Sequence, residues 1–465
     1  MLDDKFSSLN IRGAPKILVE PPGPRAKELL KLQGELEGSP VLYPHSIPLV
    51  PELARGATIQ DVDGNVYIDL FAGIAVLNFG HSNPYILEKV KKQLEKLIHT
   101  LDFPTAPRLE LVKRLIKVAP GELKDNAKVI FGGPTGSDAV EAAIKLAKYY
   151  TRRHGIIAFE GSYHGQTAAS LAVSSTKKFK DPFLPLISEI HFLPYAYCYR
   201  CVFGLKYPKC NLRCAKYIEH VLEDPYSGLS KPAAIIVEPI QGEGGIIVPP
   251  DDFLIKLRDI TRKYDILLIV DEIQTGFGRT GRIFASEYSG ISPDIMTVAK
   301  AVGGIGLPLS AVIYNKKLDV WESGAHLGTF RGHVLAMVAG AAAIDFMLEN
   351  DLTVHAEKMG NMILNVFKDL SRDIEYIGDI RGRGLMIGVE FVKDRETKEP
   401  FKEFLNEVQI NCFKRGVLVW KAGHYGNVLR LLPPLVITED LMQKSLDIIE
   451  DTIRDISKKV MKNKI

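Results

Sequence analysis

The sequence predicts an α/β fold, with a large domain built on a mostly parallel sheet and a smaller α+β domain. Two observations support this fold class. Short apolar runs rich in β-branched residues alternate with helical patterns between residues 129 and 349. Each run leads into a polar loop that carries glycine, which is typical of a binding site along the carboxyl edge of a parallel sheet.

The large sheet is predicted from short apolar strand patterns. These are residues 129–131, 156–159, 233–237, 266–270, 295–298 and 310–314. Helical patterns at 84–99, 108–118, 253–264 and 334–349 separate or flank them. Because strands that alternate with helices normally pair in parallel through right-handed crossovers, the runs predict a single sheet.

The segments outside this sheet predict the smaller α+β domain. Asp63-Gly64 separates two alternating runs, which indicates a β-hairpin. Strand patterns follow at 380–392 and 427–437, and an amphipathic helix is predicted at 439–460. These patterns differ from the regular alternation of the large domain, so we assign them to a separate unit.

The domain boundaries follow from this division. Residues 1–75 are predicted to be an N-terminal segment that contributes to the small domain. Residues 76–338 would form the large domain, with a cysteine-rich insertion at 195–216, and residues 339–465 would complete the small α+β domain.

The composition excludes several classes of function. The 59 basic and 56 acidic residues give a net charge of +3, which favours neither a nucleic-acid nor a membrane surface. No apolar run approaches the roughly 20 residues that span a bilayer. Residues 1–16 lack the apolar core of a signal peptide, so we expect a cytoplasmic protein. Plentiful Lys, Glu and Arg with scarce Gln lean toward a thermophilic source.

Asp271 and Lys300 follow two of the apolar runs, 266–270 and 295–298. Both residues should therefore lie at the carboxyl edge of the sheet, where ligands bind. One interpretation is a salt bridge or two solvated charges, since most charged residues face water. The chemically specific interpretation is a pyridoxal phosphate (PLP) site. There Lys300 would bind the cofactor covalently and Asp271 would keep its pyridine nitrogen protonated.

Two further stretches bear on this hypothesis. Thr135, Gly136 and Ser137 open a helix, whose first amides could cradle a phosphate or simply form an N-cap. Tyr163 and His164 follow the strand at 156–159. The Tyr163 ring could stack on a planar cofactor or belong to the core.

Polar side chains complete the candidate site. Gln274 lies three residues beyond Asp271, and Gln241 and Glu243 lie in a glycine-rich loop. Arg381 could bind a substrate carboxylate in a bidentate manner, or it could form an ordinary surface ion pair.

These stretches resemble the class III aminotransferases, a family of fold-type I PLP enzymes. The resemblance is carried by DLFAGIAVLNFGH, PTGSDAVEAAIK, GSYHGQT, EPIQGEGG, VDEIQTGFGRTG, PDIMTVAK, GTFRGH and RGRGLMIGVE, in family order. It extends from about residue 61 to residue 434. The nearest subgroups are the 4-aminobutyrate, ornithine and 2,4-diaminobutyrate aminotransferases, and residues 76–338 would be the PLP-binding domain.

The resemblance implies a role for each cofactor-binding residue. Lys300 would be the Schiff-base lysine and would move the substrate proton, and Asp271 would pair with the pyridinium. Gln274 would bond the ring hydroxyl. Tyr163 would stack on the ring, and His164 beside it would also belong to the cofactor site.

The resemblance also implies how phosphate and substrate are bound. Gly136 and Ser137 would offer amides to the phosphate. Thr329 would reach the phosphate of a neighbouring subunit, which implies a homodimer or a dimer of dimers. Arg381 would hold a substrate carboxylate. Glu243 would neutralise the charge of Arg381 when an ω-amino substrate needs that position uncharged.

Three further stretches are compared with the family, two at the substrate site and one at the phosphate site. Ile74 resembles a family position that lines the site, and suggests an apolar wall. The stretch after Thr329 departs from the family's usual pattern: Arg331 is similar to the diaminobutyrate subgroup, and His333 replaces the usual Asn. The phosphate loop, PTGSDA, is a conservative variant of the family's Ser-Gly-Thr/Ala-Glu-Ala run.

The implied function is amino transfer from an amino acid to 2-oxoglutarate or a similar 2-oxo acid. The donor would be an ω-amino or α-amino compound such as 4-aminobutyrate or ornithine. The alternative is an amino-acid racemase or epimerase on the same fold, because both reactions begin with proton removal by Lys300. A non-catalytic protein is disfavoured by the intact Asp271 and Lys300.

A group of four cysteines stands apart from these motifs. Cys198, Cys201, Cys210 and Cys214 have a spacing that fits a structural tetrathiolate zinc site. Two disulfides are an equal alternative in a thermophile, and unpaired thiols are a third. Cys412 stands alone.

Overall fold

The computed structural model describes residues 5–464, which form two compact units. The smaller unit comprises the chain up to Pro84 together with the segment from His355 onward, and the larger unit is Tyr85–Val354. The boundaries expected from the sequence lay after residues 75 and 338. The second of these would cut the helix Val334–Glu349, which packs entirely within the larger unit against the helix Ala106–Val118.

The strands are numbered in chain order. They are β1 (Pro51–Arg55), β2 (Thr58–Asp61), β3 (Val66–Asp69), β4 (Ala127–Phe131), β5 (Ile156–Phe159), β6 (Ile190–Leu193), β7 (Ala234–Val237), β8 (Leu267–Asp271), β9 (Ile295–Val298), β10 (Ala311–Asn315), β11 (Ile377–Arg383), β12 (Met386–Phe391), β13 (Val417–Leu418), β14 (Trp420–Ala422) and β15 (Val428–Leu431).

The helices are numbered in the same way. They are α1 (Pro24–Leu36), α2 (Tyr43–Ser46), α3 (Ala72–Ala75), α4 (Pro84–Leu94), α5 (Ala106–Val118), α6 (Gly136–Thr151), α7 (Ala168–Val173), α8 (Lys177–Lys180), α9 (Arg213–Glu223), α10 (Asp251–Lys263), α11 (Val334–Glu349), α12 (Leu352–Asp373), α13 (Lys402–Lys414) and α14 (Glu439–Lys464). None of the helices in the described part of the chain is both long and apolar enough to cross a membrane.

The larger unit contains a seven-stranded sheet in the order β4-β10-β9-β8-β7-β5-β6. Strands β5 to β9 pair in parallel, whereas β10 is antiparallel to both of its neighbours. The mostly parallel sheet expected from the sequence is thereby confirmed. Its carboxyl edge carries the loops after β5, β7, β8 and β9.

Both faces of this sheet are covered by helices. Ile269 of β8 packs on one side in a cluster with the alanine-rich face of α6. Leu268 and Val270 point to the other side, into a cluster that contains residues of α9 and α10. Because alternate side chains of the same strand are buried on opposite faces, the strands are continuous apolar runs.

The smaller unit contains two four-stranded sheets, β1-β2-β3-β13 and β11-β12-β15-β14. The hairpin expected at Asp63-Gly64 is confirmed, since β2 and β3 pair in antiparallel fashion across it. The strand pattern at 427–437 is only partly strand, because β15 ends before Pro433 and Pro434, which lack the N–H that a ladder requires. Strands β1 and β6, and helices α9, α12 and α13, were not predicted.

Helix α11 packs closely against the short 3-10 turn Lys300–Gly303 that follows β9. A Cβ on Gly340 of α11 would lie 2.2 Å from the carbonyl oxygen of Val302 in that turn. A Cβ on Gly304 would lie 2.7 Å from the carbonyl oxygen of Ala339. The two glycines therefore allow the backbone of α11 to contact and support the turn that begins at Lys300.

This contact predicts that Gly340→Ala destabilises the protein although alanine is the better helix former. The added methyl group must displace the Val302 carbonyl, so we expect a loss of about 1–3 kcal/mol in the free energy of unfolding. Gly34→Ala in α1 is the matched control, because a Cβ there meets nothing within 4 Å. That change should be neutral or stabilising by up to about 1 kcal/mol. Urea unfolding measures both, and equal stability of Gly340→Ala and wild type would contradict the close packing.

Candidate active site

A cavity of about 200 Å³ opens at the carboxyl edge of the large sheet. It brings together most of the site residues expected in this unit: Gly136, Ser137, Tyr163, His164, Glu243, Asp271, Gln274 and Lys300. The loops that follow β5, β7, β8 and β9 and the start of α6 supply them. The crossover topology explains why positions more than 160 residues apart in the sequence, such as Gly136 and Lys300, meet here.

Asp271 ends β8 and is almost completely buried, with 3% of its surface exposed. Its Oδ2 lies 2.6 Å from Nδ1 of His164. Its Oδ1 accepts hydrogen bonds from Oγ1 of Thr297, at 2.9 Å, and from the amide of Ile273, at 3.1 Å. These donors hold the carboxylate in one orientation at the floor of the cavity, where it can pair with a cationic ring nitrogen.

Lys300 begins the turn after β9 and has a left-handed backbone conformation, with φ at 50°. This conformation costs a non-glycine residue of the order of 1–3 kcal/mol and persists only when surrounding packing enforces it. Hydrogen bonds within the turn and the close contact with α11 supply that packing. Lys300 is thereby held at the cavity wall in a fixed position.

The start of α6 provides an anion-binding element. Thr135 is the N-cap, and its amide and hydroxyl both donate to Oδ2 of Asp138, at 2.9 and 2.8 Å. Oγ of Ser137 accepts the amide of Gln166 at 3.1 Å. The first amides of a helix have no partner within the helix, so those of Gly136 and Ser137 are suited to a phosphate.

Glu238 is a site residue that the sequence reasoning missed. It follows β7 just as Asp271 ends β8, and the shared pattern of an apolar run followed by an acid could have identified it. Its Oε1 accepts the amide of Tyr163 and its Oε2 accepts the amide of Gly242, both at 3.0 Å. Burial raises the pKa of Glu238 to about 7; the charge of His164 lowers it and that of Asp271 raises it further.

The donor set of the cavity fits PLP. The buried Oε1 of Gln274 and Nε2 of His164 have no hydrogen-bond partner among the described residues. Gly242 is packed so closely that a Cβ would lie 2.1 Å from Oε1 of Gln274, which fixes that side chain at the wall. One cavity is thus bordered by four groups that PLP requires. They are an anion-binding helix start, a carboxylate for a pyridinium nitrogen, an amide for a ring hydroxyl and a lysine amine. Gln274, Lys300 and Asp271 would hold the ring, while Gly136 and Ser137 would hold its phosphate.

Two arginines of the smaller unit are candidates for binding a carboxylate. Nη1 of Arg381 donates to Oδ2 of Asp379 at 2.7 Å and to Oε2 of Glu390 at 2.8 Å. Two carboxylates therefore already compensate the charge of Arg381 within its own unit. Arg430, which the sequence reasoning did not single out, lies on β15 opposite Gly388 and is only 1% exposed. A charged residue inside the apolar run VLRLL was the available signal.

Ile74 lies in an unusual turn of the smaller unit. The four residues Ala72–Ala75 all have positive φ angles, between 49° and 62°. Asp69 anchors this turn, because its Oδ1 accepts the amides of Phe71 and Ala72, both at 2.9 Å. Its Oδ2 lies 2.8 Å from Nε2 of His81. The predicted role of Ile74 in a substrate wall remains a prediction.

Thr329 lies on the surface of the larger unit and does not border the cavity. Its carbonyl oxygen is 2.9 Å from Nε2 of His99. The neighbouring Arg331 donates from Nη1 to the carbonyl of Gly132 at 2.6 Å, which ties this segment to the end of β4. Burial lowers the pKa of His333, with a smaller contribution from His99.

The four clustered cysteines give no support to a zinc site or to disulfides. No disulfide joins any of the five cysteines, all of which lie in the described part of the chain. The four predicted ligands border one small cavity of about 20 Å³, and burial raises the pKa of Cys214 to about 11, with smaller contributions from Cys198 and Cys210. Nowhere between residues 5 and 464 do three His, Cys, Asp or Glu side chains stand so as to hold a metal ion.

Comparison with known proteins gives the family context. The family described as aminotransferase class-III matches residues 43–453. The chain is 38% identical over 442 residues to diaminobutyrate–2-oxoglutarate aminotransferase of Haemophilus influenzae, covering 93% of this chain and 96% of that protein. It is also 38% identical over 448 residues to alanine/serine racemase of Pyrococcus horikoshii, covering 95% of this chain and 93% of that protein.

A solved structure agrees with these sequence matches. An aminotransferase from Bacillus anthracis has a TM-score of 0.85 to this chain at 27% identity, covering 93% of this chain and 99% of the other. The chain therefore belongs to the class III aminotransferases. It is a PLP-dependent aminotransferase with the α/β fold of that family, as the sequence motifs implied.

The buried position of Asp271 predicts a large effect of Asp271→Asn. Asparagine keeps the size of the side chain but loses the charge that would hold a proton on the ring nitrogen. We expect kcat of the PLP-loaded enzyme to fall by about 10²–10³, the scale of removing one preorganised electrostatic partner. Thr297→Val, which removes one hydrogen bond and keeps the carboxylate, should cost far less. Activity of Asp271→Asn within threefold of wild type would contradict this role.

Proposed function

We propose that the enzyme transfers an amino group from an amino acid with a second ammonium group to 2-oxoglutarate. The observation that carries the proposal is the charge of the cavity. The carboxylate of Glu243 borders it and, unlike that of Asp271, is not matched to the cofactor ring. An acidic wall favours a diamino acid over a neutral donor. The similarity to diaminobutyrate–2-oxoglutarate aminotransferase over 93% of the chain supports the same donor class.

The residues of the cavity divide the chemistry between them. Bound PLP supplies an electron sink for the electrons left on carbon when a proton is removed. Nζ of Lys300 would take the proton from the amine-bearing carbon of the donor as a general base and return a proton as a general acid. Asp271, oriented by His164 and Thr297, would keep the ring nitrogen protonated so that the sink remains effective. Tyr163 would cover the ring and limit the access of water.

The acceptor requires a cationic partner for its carboxylates. Arg381 is the guanidinium group predicted for this task. It would first have to exchange Asp379 and Glu390 for the acceptor, whereas Glu243 was expected to supply such a neutralising carboxylate.

The substrate proposal predicts a specific product pattern. The PLP-loaded enzyme, given 2-oxoglutarate, should form glutamate fastest with L-2,4-diaminobutyrate or ornithine and more slowly with 4-aminobutyrate. Omitting the 2-oxo acid should abolish product. Arg381→Lys should raise KM for 2-oxoglutarate. Glutamate formation that is fastest with neutral L-amino acids would contradict the diamino donor.

Racemisation is the second candidate function. It is supported by the similarity to alanine/serine racemase of Pyrococcus horikoshii, at 38% identity over 95% of this chain. In that reaction Lys300 would again remove the proton, and a proton would return to the opposite face of the same carbon. Chiral analysis of single L-amino acids incubated without a 2-oxo acid separates the two functions, since only a racemase forms the D-enantiomer.

We propose further that the active form is a homodimer in which Thr329 completes the partner's phosphate site. The support is an exposed apolar surface on the larger unit around this residue. Phe103, Leu327 and Phe330 are 67%, 72% and 66% exposed, and the Phe330 ring packs on His99 with 5.4 Å between centroids. Large apolar side chains this exposed are typical of a protein interface.

Mixed dimers test the predicted contribution of Thr329. Thr329→Ala should weaken PLP binding about tenfold, the loss of one hydrogen bond to a charged group, without dissociating the dimer. Lys300→Ala should be inactive. If Thr329 acts across the interface, a heterodimer of the two variants has one complete site and regains about half of the wild-type activity. No gain of activity on mixing, with mixed dimers shown by mass spectrometry, would place Thr329 outside the partner's site.

A further inference from the structure

Glu238 is a buried carboxylate in the cavity to which the mechanism above gives no task. It is 7% exposed and follows β7 directly. Besides Asp271, the charged or titratable groups that border the same cavity are Tyr163, His164, Glu243 and Lys300. A second buried acid near Asp271 costs free energy, because the two negative charges repel each other where water screens them little.

The hydrogen bonds of Glu238 connect two loops of the site. Oε1 accepts the amide of Tyr163, in the loop after β5, and Oε2 accepts the amide of Gly242, in the loop after β7. Gly242 precedes Glu243 and packs on Gln274. One carboxylate thus fixes the backbone next to the expected stacking ring and next to the acidic wall.

Only an ionised carboxylate satisfies both amides. A protonated carboxyl group carries a hydrogen on one oxygen, and a glutamine would direct its NH₂ at one of the two N–H groups. Burial works against the ionised form and raises the pKa of Glu238 to about 7, while His164 counteracts it. An uncharged side chain would be cheaper to bury, so a carboxyl group held between two backbone amides at this place indicates a function.

The backbone of Glu238 is held independently of its side chain. The hydroxyl of Tyr195, which is 6% exposed, lies within hydrogen-bonding distance of the carbonyl oxygens of Glu238 and Pro239, at 3.0 and 3.1 Å. The carboxylate is therefore presented to the two amides from a fixed position.

We propose that Glu238 is a positioning residue: its carboxylate ties the Tyr163 loop to the Gly242 loop and so aligns Tyr163 and Glu243 around the cofactor. Glu238 does not exchange a proton with the substrate in this role. The proposal rests on the proposed function only for the choice of substrate, because the alignment serves proton removal in transamination and in racemisation alike.

Glu238→Gln in the PLP-loaded enzyme tests this inference, with Glu160→Gln as the matched control. Glu160 lies in the same loop as Tyr163 and its side chain is exposed. The first readout is the visible circular dichroism of bound PLP, which reports how the ring is held. The second is exchange in D₂O of the proton on the amine-bearing carbon of the substrate, followed by NMR. Neither readout requires that the overall reaction is amino transfer.

In Glu238→Gln we expect bound PLP at wild-type stoichiometry, a visible dichroism reduced by half or more, and exchange of the proton on the amine-bearing carbon slowed at least tenfold in kcat with little change in KM. Glu160→Gln should match wild type. Wild-type dichroism and exchange in Glu238→Gln, or equal changes in both variants, would overturn the proposal. If Glu238→Gln does not fold, Tyr195→Phe replaces it: it should reduce the dichroism in the same direction, and an unchanged signal would refute the alignment role.

Discussion

The buried contact between Asp271 and His164 is the interaction on which the site depends. A carboxylate that is 3% exposed must be compensated, and here an imidazole, a hydroxyl and a backbone amide provide the compensation. Each donor comes from a different part of the large sheet: the loop after β5, strand β9 and the loop after β8. The carboxylate can therefore be oriented only when the parallel strands are assembled in their observed order.

Close backbone packing then sets the position of Lys300 relative to that carboxylate. The turn that begins at Lys300 has a strained, left-handed start, and α11 presses on it where Gly340 faces Val302. The tight packing at Gly340 stabilises the strained backbone conformation of Lys300. This packing favours a lysine with a fixed position. Glu238 extends the same principle to the opposite wall, where it joins two loops through one side chain.

The sequence predicted the centre of the large domain better than its margins. Strands such as β8 are buried on both faces and stand out as apolar runs, whereas β6 is a half-buried edge strand with a mixed sequence, IHFL. Asp271 and Lys300 were found because they follow such runs. Glu238 follows one too, but its role depends on amides of two loops that no sequence pattern pairs. The cysteine spacing suggested metal or disulfides, and only the structure shows that the four thiols border one small cavity, with Cys198 exposed and the other three half-buried.

The central claim is that Asp271 keeps the cofactor's ring nitrogen protonated. Nitrogen NMR of the holoenzyme, loaded with PLP labelled with ¹⁵N in the ring, measures that protonation directly. A protonated ring nitrogen in wild type, throughout the pH range in which the protein is folded, is the predicted result, with loss of the proton in Asp271→Asn. An unprotonated ring nitrogen in wild type, or one whose chemical shift is the same in both proteins, would contradict the account.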